Sequence, residues 1–319
     1  MITYGHENYI REAIYGVLMQ ETNFQIELVI ANDCSPDKTN TIIKDIIEEH
    51  PKSEYINYIN HKENIGIMPN FLFALNQCTG EYIAMCEGDD YWIDKDKLQK
   101  QVSILEENKD IGVVYTGVKF YYQNEDKYLD IPSRFAKNKE DSIIKMLESK
   151  FIEFPTTLFR TSVLNKVINT MREELLSNVI IGDTRILLET AYQSQIYFLE
   201  DVTTVYRVAD GSASYPKNID KYIFALLDTY QCRVNFVKRN NLEKKLLGTI
   251  ICNTNKGLIN KAFVSKNYKN ALKLLKPLLI VETFKNCDLK TFRKKITLSV
   301  ILKLILTPIG IGVLKQKIT

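Results

Sequence analysis

Short apolar runs alternate with amphipathic segments through the first half of this chain, and that alternation restricts the fold more than any other feature. Residues 26–31 (IELVIA), 56–59 (INYI), 82–86 (YIAMC) and 111–115 (IGVVY) read as buried strands. Between them, residues 8–19 place Tyr9, Ile10, Ala13, Ile14, Val17 and Leu18 at helical spacing, and residues 39–49, 70–77 and 95–107 behave likewise. Strands alternating with helices predict an α/β fold with a mostly parallel central sheet covered on both faces. In such sheets ligands bind beyond the carboxyl ends of the strands. Residues 1–4 are too short for a central strand, although the helix after them needs one, so the chain is expected to begin inside its first strand.

The pattern loosens after residue 126. A turn is expected at Ile131-Pro132, a helix near 140–148, a strand near 157–160 and a helix opening at Asp183. Strand-like stretches follow at 196–199 and 203–208. From about residue 218 the chain reads as helix with Lys-rich faces, which divides it into residues 1–217 and a helical C-terminal region, 218–319. A hydrophobic fraction of 45% over 319 residues suffices for a core and excludes a disordered or collagen-like chain. The six cysteines include no CxxC pair and have no nearby His, so reduced thiols in a cytoplasmic protein are expected. The first residues lack the basic and apolar regions of a signal peptide.

The net charge of +3 hides a division. Residues 238–319 hold 18 Lys/Arg against 3 Asp/Glu, a net of +15, which leaves −12 on residues 1–237. A basic tail of this size expects an anionic partner, nucleic acid or an anionic membrane leaflet. It carries no nucleic-acid recognition motif, so the membrane surface is preferred. The most apolar stretch, 296–314, is interrupted by Lys303, Pro308 and two glycines. It suits an interfacial helix better than a spanning one, with packing against the body as the alternative. The expected location is the cytoplasm, with peripheral contact on the inner face of the plasma membrane.

The sharpest local feature is Glu87-Gly88-Asp89-Asp90, directly after the apolar run 82–86. Three carboxylates at one strand end repel one another unless a cation or hydrogen-bond donors compensate. Adjacent aspartates suit a hard divalent cation, Mn²⁺ or Mg²⁺, and with only three histidines an imidazole-rich site is not expected. Gly88 would let the backbone turn and approach a ligand closely. Asn32-Asp33-Cys34-Ser35 also follows a strand. There Asp33 could accept a hydrogen bond from a nucleobase, while Ser35 and Asp37 could cap the next helix. Asn64-Ile65-Gly66 reads as a ligand loop or a plain turn. Asp183 reads as a helix cap or a site residue. Arg207 reads as a phosphate ligand or half of a structural Arg–carboxylate pair.

Taken together, Ile2-Thr3-Tyr4-Gly5-His6-Glu7-Asn8-Tyr9-Ile10, Asn32-Asp33-Cys34-Ser35, Asn64-Ile65-Gly66 and Glu87-Gly88-Asp89-Asp90-Tyr91-Trp92 resemble a family 2 glycosyltransferase. Gly182-Asp183 and Tyr206-Arg207 extend the resemblance to about residue 215. It implies a GT-A-type, Rossmann-like sandwich and an inverting enzyme of the hexosyltransferase class. The donor would be a nucleotide-diphospho-sugar, with a UDP-sugar favoured. The acceptor would be a hydroxyl of a glycan or lipid-linked molecule in surface polysaccharide synthesis. It further implies that Thr3, Tyr4 and Asp33 hold the nucleoside, with Asn64 and Arg207 in the same donor site. Asp89 would face the ribose or sugar, Asp90 would bind Mn²⁺ or Mg²⁺, and Asp183 would be the catalytic base.

Two departures from the family pattern stand out. The position two residues after the Tyr-Arg pair, often His in the family, is Ala209, which would weaken the metal shell. The full apolar strand that usually precedes the Thr3-Tyr4 equivalent is nearly absent. Both features would also suit a non-catalytic protein that binds a nucleotide or glycan.

Overall fold

The structure, a computed structural model, describes residues 1–130, 139–148, 152–177, 179, 181–209, 218–243, 246–250 and 253–254. It divides into two compact units, Met1–Met146 with Lys150–Tyr215, and Leu147–Ser149 with Pro216–Thr319.

In the first unit, β1 (Ile2–Thr3) leads into α1 (Ile10–Leu18), and β2 (Leu28–Asn32) into α2 (Thr39–Glu49). Next come β3 (Ile56–Asn60), α3 (Ile67–Gln77), β4 (Tyr82–Ala84), β5 (Tyr91–Trp92) and α4 (Lys97–Glu107). The periodicity in residues 8–19 becomes the buried stripe Ile10, Ala13, Ile14, Val17 and Leu18, which α1 turns into the core. Gly16 lets α1 lie against β5, since a Cβ there would stand 2.8 Å from the Trp92 backbone nitrogen. β1, β2 and β3 form a parallel sheet in that order, with Leu28 opposite Ile56 and Ile2 opposite Ala31.

The remaining strands of this unit are β6 (Ile111–Tyr122), β7 (Lys127–Asp130), β8 (Leu158–Arg160) and β9 (Gln195–Val208). Among them lie α5 (Lys139–Glu148), whose last two residues belong to the second unit, α6 (Thr161–Leu175) and α7 (Asp183–Gln193). The second sheet runs β4-β8-β6-β9-β5, with β7 on β6. Its pairings are antiparallel except for β6 with β9. The α/β class is as expected, and the mostly parallel pattern holds for the first sheet only. The stretches at 196–199 and 203–208 are one 14-residue strand, and register shifts against Thr116–Val118 let it bend and stay paired.

In the second unit, α8 (Ile219–Arg239) buries Ala225, Tyr230, Val234 and Val237, in keeping with the expected helix. The turn at Ile131-Pro132, the apolar stretch 296–314 and most of the basic tail lie outside the described residues. Cys34, Cys78, Cys86 and Cys232 are free thiols. Among the described residues no helix is long and apolar enough to cross a membrane.

Candidate active site

The carboxyl ends of β1 and β2 meet the turn after β4 around a pocket of about 490 Å³. Its lining unites residues from separate motifs: Thr3, Tyr4, Asp33, Asn64, Asp89 and Asp90. Two loops are stitched together beside it. Gly5 N–H donates to Ser35 Oγ (3.0 Å), His6 N–H to Thr39 Oγ1 (2.9 Å) and Glu7 N–H to Asp37 Oδ2 (3.0 Å). Asp37 therefore holds the neighbouring loop as well as serving the start of α2, where its Oδ1 accepts from Thr39 N–H (3.0 Å), whereas Ser35 Oγ, expected as a cap, donates to Asn32 Oδ1 instead.

Asp33 is 3% exposed. Its Oδ1 accepts from Ile65 N–H (2.7 Å) and its Oδ2 from Gly66 N–H (3.0 Å). Gly66 supplies its N–H from φ +92°, a conformation that favours glycine. A carboxylate has about four acceptor positions, so Asp33 keeps capacity toward a ligand while fixing the 64–66 loop. Asn64 is exposed, and its side-chain amide donates to the Asp33 carbonyl (3.3 Å).

The acidic turn is drawn against β1. Gly88 N–H donates to Ile2 O (3.1 Å), and a Cβ on Gly88 would fall 2.7 Å from Thr3 Oγ1 and 2.8 Å from His6 Nδ1. The close approach expected of Gly88 toward a ligand is thus made toward Thr3 and His6. Thr3 Oγ1 lies 3.1 Å from His6 Nδ1, and His6 Nε2 lies 4.0 Å from Asp89 Oδ2. Asp90 is 2% exposed, and its Oδ1 accepts from Arg207 N–H (2.8 Å). The carboxylates of Asp89 and Asp90 are in this way turned toward different partners. Among the described residues no group of three His, Cys, Asp or Glu is placed to hold a metal.

Arg207 does not line the pocket. Its guanidinium is ion-paired with Glu12, donates from Nη1 to Asp89 O (2.7 Å), and lies 4.5 Å from the Tyr91 ring centre and 5.0 Å from that of Tyr9. Arg207 thus makes an Arg–carboxylate ion pair, one of the two readings open in the sequence. Neighbouring residues of a strand face opposite ways, and here it is Tyr206 that faces the pocket.

Asp183 is also outside the pocket lining. The N-cap of α7 is Gly182, and Asp183 is the first helical residue, its Oδ1 accepting from Thr184 N–H (2.5 Å). A Cβ on Gly182 would lie 2.6 Å from Met68 Sδ, which brings Asp183 to the same end of α3 as the pocket residues Gly66 and Ile67.

His6, Tyr9 and Ala209 also line the pocket, as does Asn70, which is 2% exposed and donates to Ala31 O (3.0 Å). His6 is not among the residues the sequence points to as donor-binding, although it stands in the first motif. Its place directly after Tyr4-Gly5 was the available signal.

This parallel sheet, joined through an acidic turn to a mixed one, defines a GT-A protein. Superposition on S. aureus TarS in complex with UDP-GlcNAc gives a TM-score of 0.58 at 18% identity, covering 96% of this chain and 84% of that one. The mannosyltransferase PcManGT from Pyrobaculum calidifontis, in complex with GDP-Man and Mn²⁺, gives 0.50 at 16% identity, covering 95% and 84%. The chain belongs to glycosyl transferase family 2, whose family model matches residues 1–168. Rv1520 of Mycobacterium tuberculosis is 32% identical over 206 residues, or 65% of this chain. The match spans 57% of that relative's length.

Proposed function

We propose that this protein is an inverting glycosyltransferase that moves a sugar from a nucleotide-diphospho-sugar to a hydroxyl of a glycan or lipid-linked acceptor. Residues 1–217 would form the catalytic domain. One observation carries the reading: residues from four separated motifs line a single pocket at the strand ends. Thr3, Tyr4, Asp33 and Asn64 would hold the nucleoside, and Asp89 the ribose or sugar. TarS in its UDP-GlcNAc complex favours a UDP-sugar, and PcManGT with GDP-Man makes a guanine nucleotide the competitor.

The donor set fits a divalent cation held mainly by substrate. Asp89 and Asp90 are adjacent in the chain and both line the pocket. Mg²⁺ and similar ions commonly bind through one or two carboxylates plus substrate phosphates. Such a cation would offset the charge that develops on the leaving diphosphate. In the reaction the acceptor oxygen forms a bond to the anomeric carbon while the bond from that carbon to the diphosphate breaks. Asp183 takes the acceptor proton. Arg207 braces the turn that carries Asp89 and Asp90. A panel of UDP- and GDP-sugars read by nucleotide release tests the proposal, and no release or transfer with any donor would overturn it.

A second reading, a nucleotide- or glycan-binding protein without turnover, draws on Ala209 in the pocket lining and on the position of Arg207 outside it. The same panel separates the two, since binding without release would favour the second. For the basic tail we propose contact with an anionic membrane surface near a lipid-linked acceptor, in surface polysaccharide synthesis. Its support is the net +15 of residues 238–319. Equal binding to neutral and anionic vesicles would sink it.

A further inference from the structure

Among the described residues β7 pairs with β6 alone, and all four of its residues are exposed, so burial does not explain its sequence. Tyr128 on this strand is 49% exposed, yet its ring is held from three sides. It stacks on Tyr121, its cross-strand partner on β6, with ring centres 4.6 Å apart and planes 27° from parallel. Its hydroxyl lies 3.2 Å from that of Tyr91, and Lys119 Nζ stands 6.0 Å from its ring centre. Tyr121 is fixed in turn, since its hydroxyl donates to Asp126 Oδ1 (2.9 Å). An exposed aromatic ring that is already ordered loses little conformational freedom when a ligand settles on it.

Two features identify the occupant. One is continuity with the pocket. Tyr9 lines the pocket, and its hydroxyl donates to Gln123 Oε1 (2.7 Å) in the turn that joins β6 to β7. The Arg207 guanidinium lies against the rings of both Tyr9 and Tyr91, and Tyr91 reaches Tyr128. The aromatic series thus starts in the pocket lining and ends at the sheet edge, with Tyr91, Tyr121 and Tyr128 outside the lining. The other feature is the chemistry of the surface. Aromatic rings with negative faces are flanked by charged groups: Asp126 at Tyr121, and Lys119 paired with Asp130 (3.7 Å) beside Tyr128. A pyranose ring has the matching form, a face of slightly positive C–H bonds rimmed by hydroxyls that need hydrogen-bond partners. An acyl or prenyl chain offers these charged groups nothing.

We propose that Tyr121 and Tyr128 form an acceptor subsite, on which a pyranose ring of a glycan chain stacks while the end of that chain lies in the pocket. The proposal rests on the transferase reading and narrows its acceptor to an oligosaccharide, gripped at a sugar ring away from the reacting hydroxyl.

The test is binding of a panel of tetrasaccharides built from glucose, galactose, mannose or N-acetylglucosamine, followed by saturation-transfer NMR. Stacking uses the C–H face that these rings share, so at least one member should bind. Tyr128→Ala should weaken that binding by about tenfold or more, and Tyr128→Phe by no more than about threefold. Tyr128→Leu, apolar but without an aromatic face, should behave as Ala does. Tm should stay near wild type in all three, because the ring is exposed. No binding by any tetrasaccharide, or full binding by the Leu variant, would overturn the proposal. So would a dimer that Tyr128→Ala dissolves, because the occupant would then be a second copy. A donor panel run beside it keeps the two readings apart. Turnover with an acceptor KM unmoved by Tyr128→Ala would overturn the subsite and leave the transferase. Glycan binding that depends on Tyr128 without turnover of any donor would strike the transferase and support the sugar platform.

Discussion

Arg207 N–H donates to Asp90 Oδ1 across 2.8 Å, and this bond fastens the acidic turn after β4 to the end of β9. That bond uses the shape of the Asp90 carboxylate, whereas a cation would use its charge. The Arg207 side chain secures the same turn from behind, through Asp89 O and the ion pair with Glu12.

That division of labour separates two substitutions at Asp90. Asp90→Asn keeps an oxygen for Arg207 N–H but removes the charge a cation needs. It should leave Tm close to wild type and lower transfer by about 100-fold or more. Asp90→Ala also strands a buried N–H, so it should cost about 1–3 kcal/mol of stability in addition. Denaturant melts and nucleotide release across a Mn²⁺ titration read both effects. Undiminished transfer in excess EDTA would remove the metal role.

Asp183 begins α7, yet Gly182 is the cap, so an isosteric change should leave the helix in place. Asp183→Asn removes proton acceptance while keeping shape. If Asp183 is the base, transfer should fall by about 10²- to 10⁴-fold with nucleotide affinity unchanged. Calorimetric binding measured beside the rate decides the matter, and turnover near wild type would leave the base elsewhere.

Gly88→Ala tests the seam between the acidic turn and β1. The new methyl would meet Thr3 Oγ1 and Cβ at 2.7 and 2.8 Å, and Thr3 is 2% exposed with little room to retreat. Overpacking of this kind costs about 1–3 kcal/mol. We expect a lower Tm together with weaker nucleotide binding. Loss of neither would mean that the seam is looser than the geometry shows.

Lys97 is fully buried, with Nζ donating to Gln101 Oε1 (2.6 Å) and lying 4.3 Å from the Trp92 ring centre. Desolvation lowers its pKa to about 7. Below that pH the folded and unfolded states are both protonated and the penalty for a buried charge is constant. As pH rises through 7, the folded state releases the proton first, so stability should increase up to the ordinary lysine pKa of about 10.4. The slope contributed is at most about 1.4 kcal/mol per pH unit. Chemical denaturation from pH 7 to 9.5 should show this rise in the wild type, and Lys97→Met should lack that share of it. Parallel profiles would assign the slope to other groups.

The sequence by itself determined the alternation of strands and helices, the acidic turn after β4 and the placing of Thr3, Asp33, Asp89 and Asp90 at strand ends. These follow from periodicity and from motifs whose residues are chain neighbours, and both are local properties. Only the tertiary structure decided the strand directions of the second sheet, because antiparallel partners such as Tyr82 and Arg160 stand far apart in the chain. It also decided that Arg207 pairs with Glu12, since the two lie 195 residues apart and no local pattern records such a contact. His6 entered the pocket for the same reason: the Gly5 turn and the bond to Thr39 aim it, and both are set by the fold.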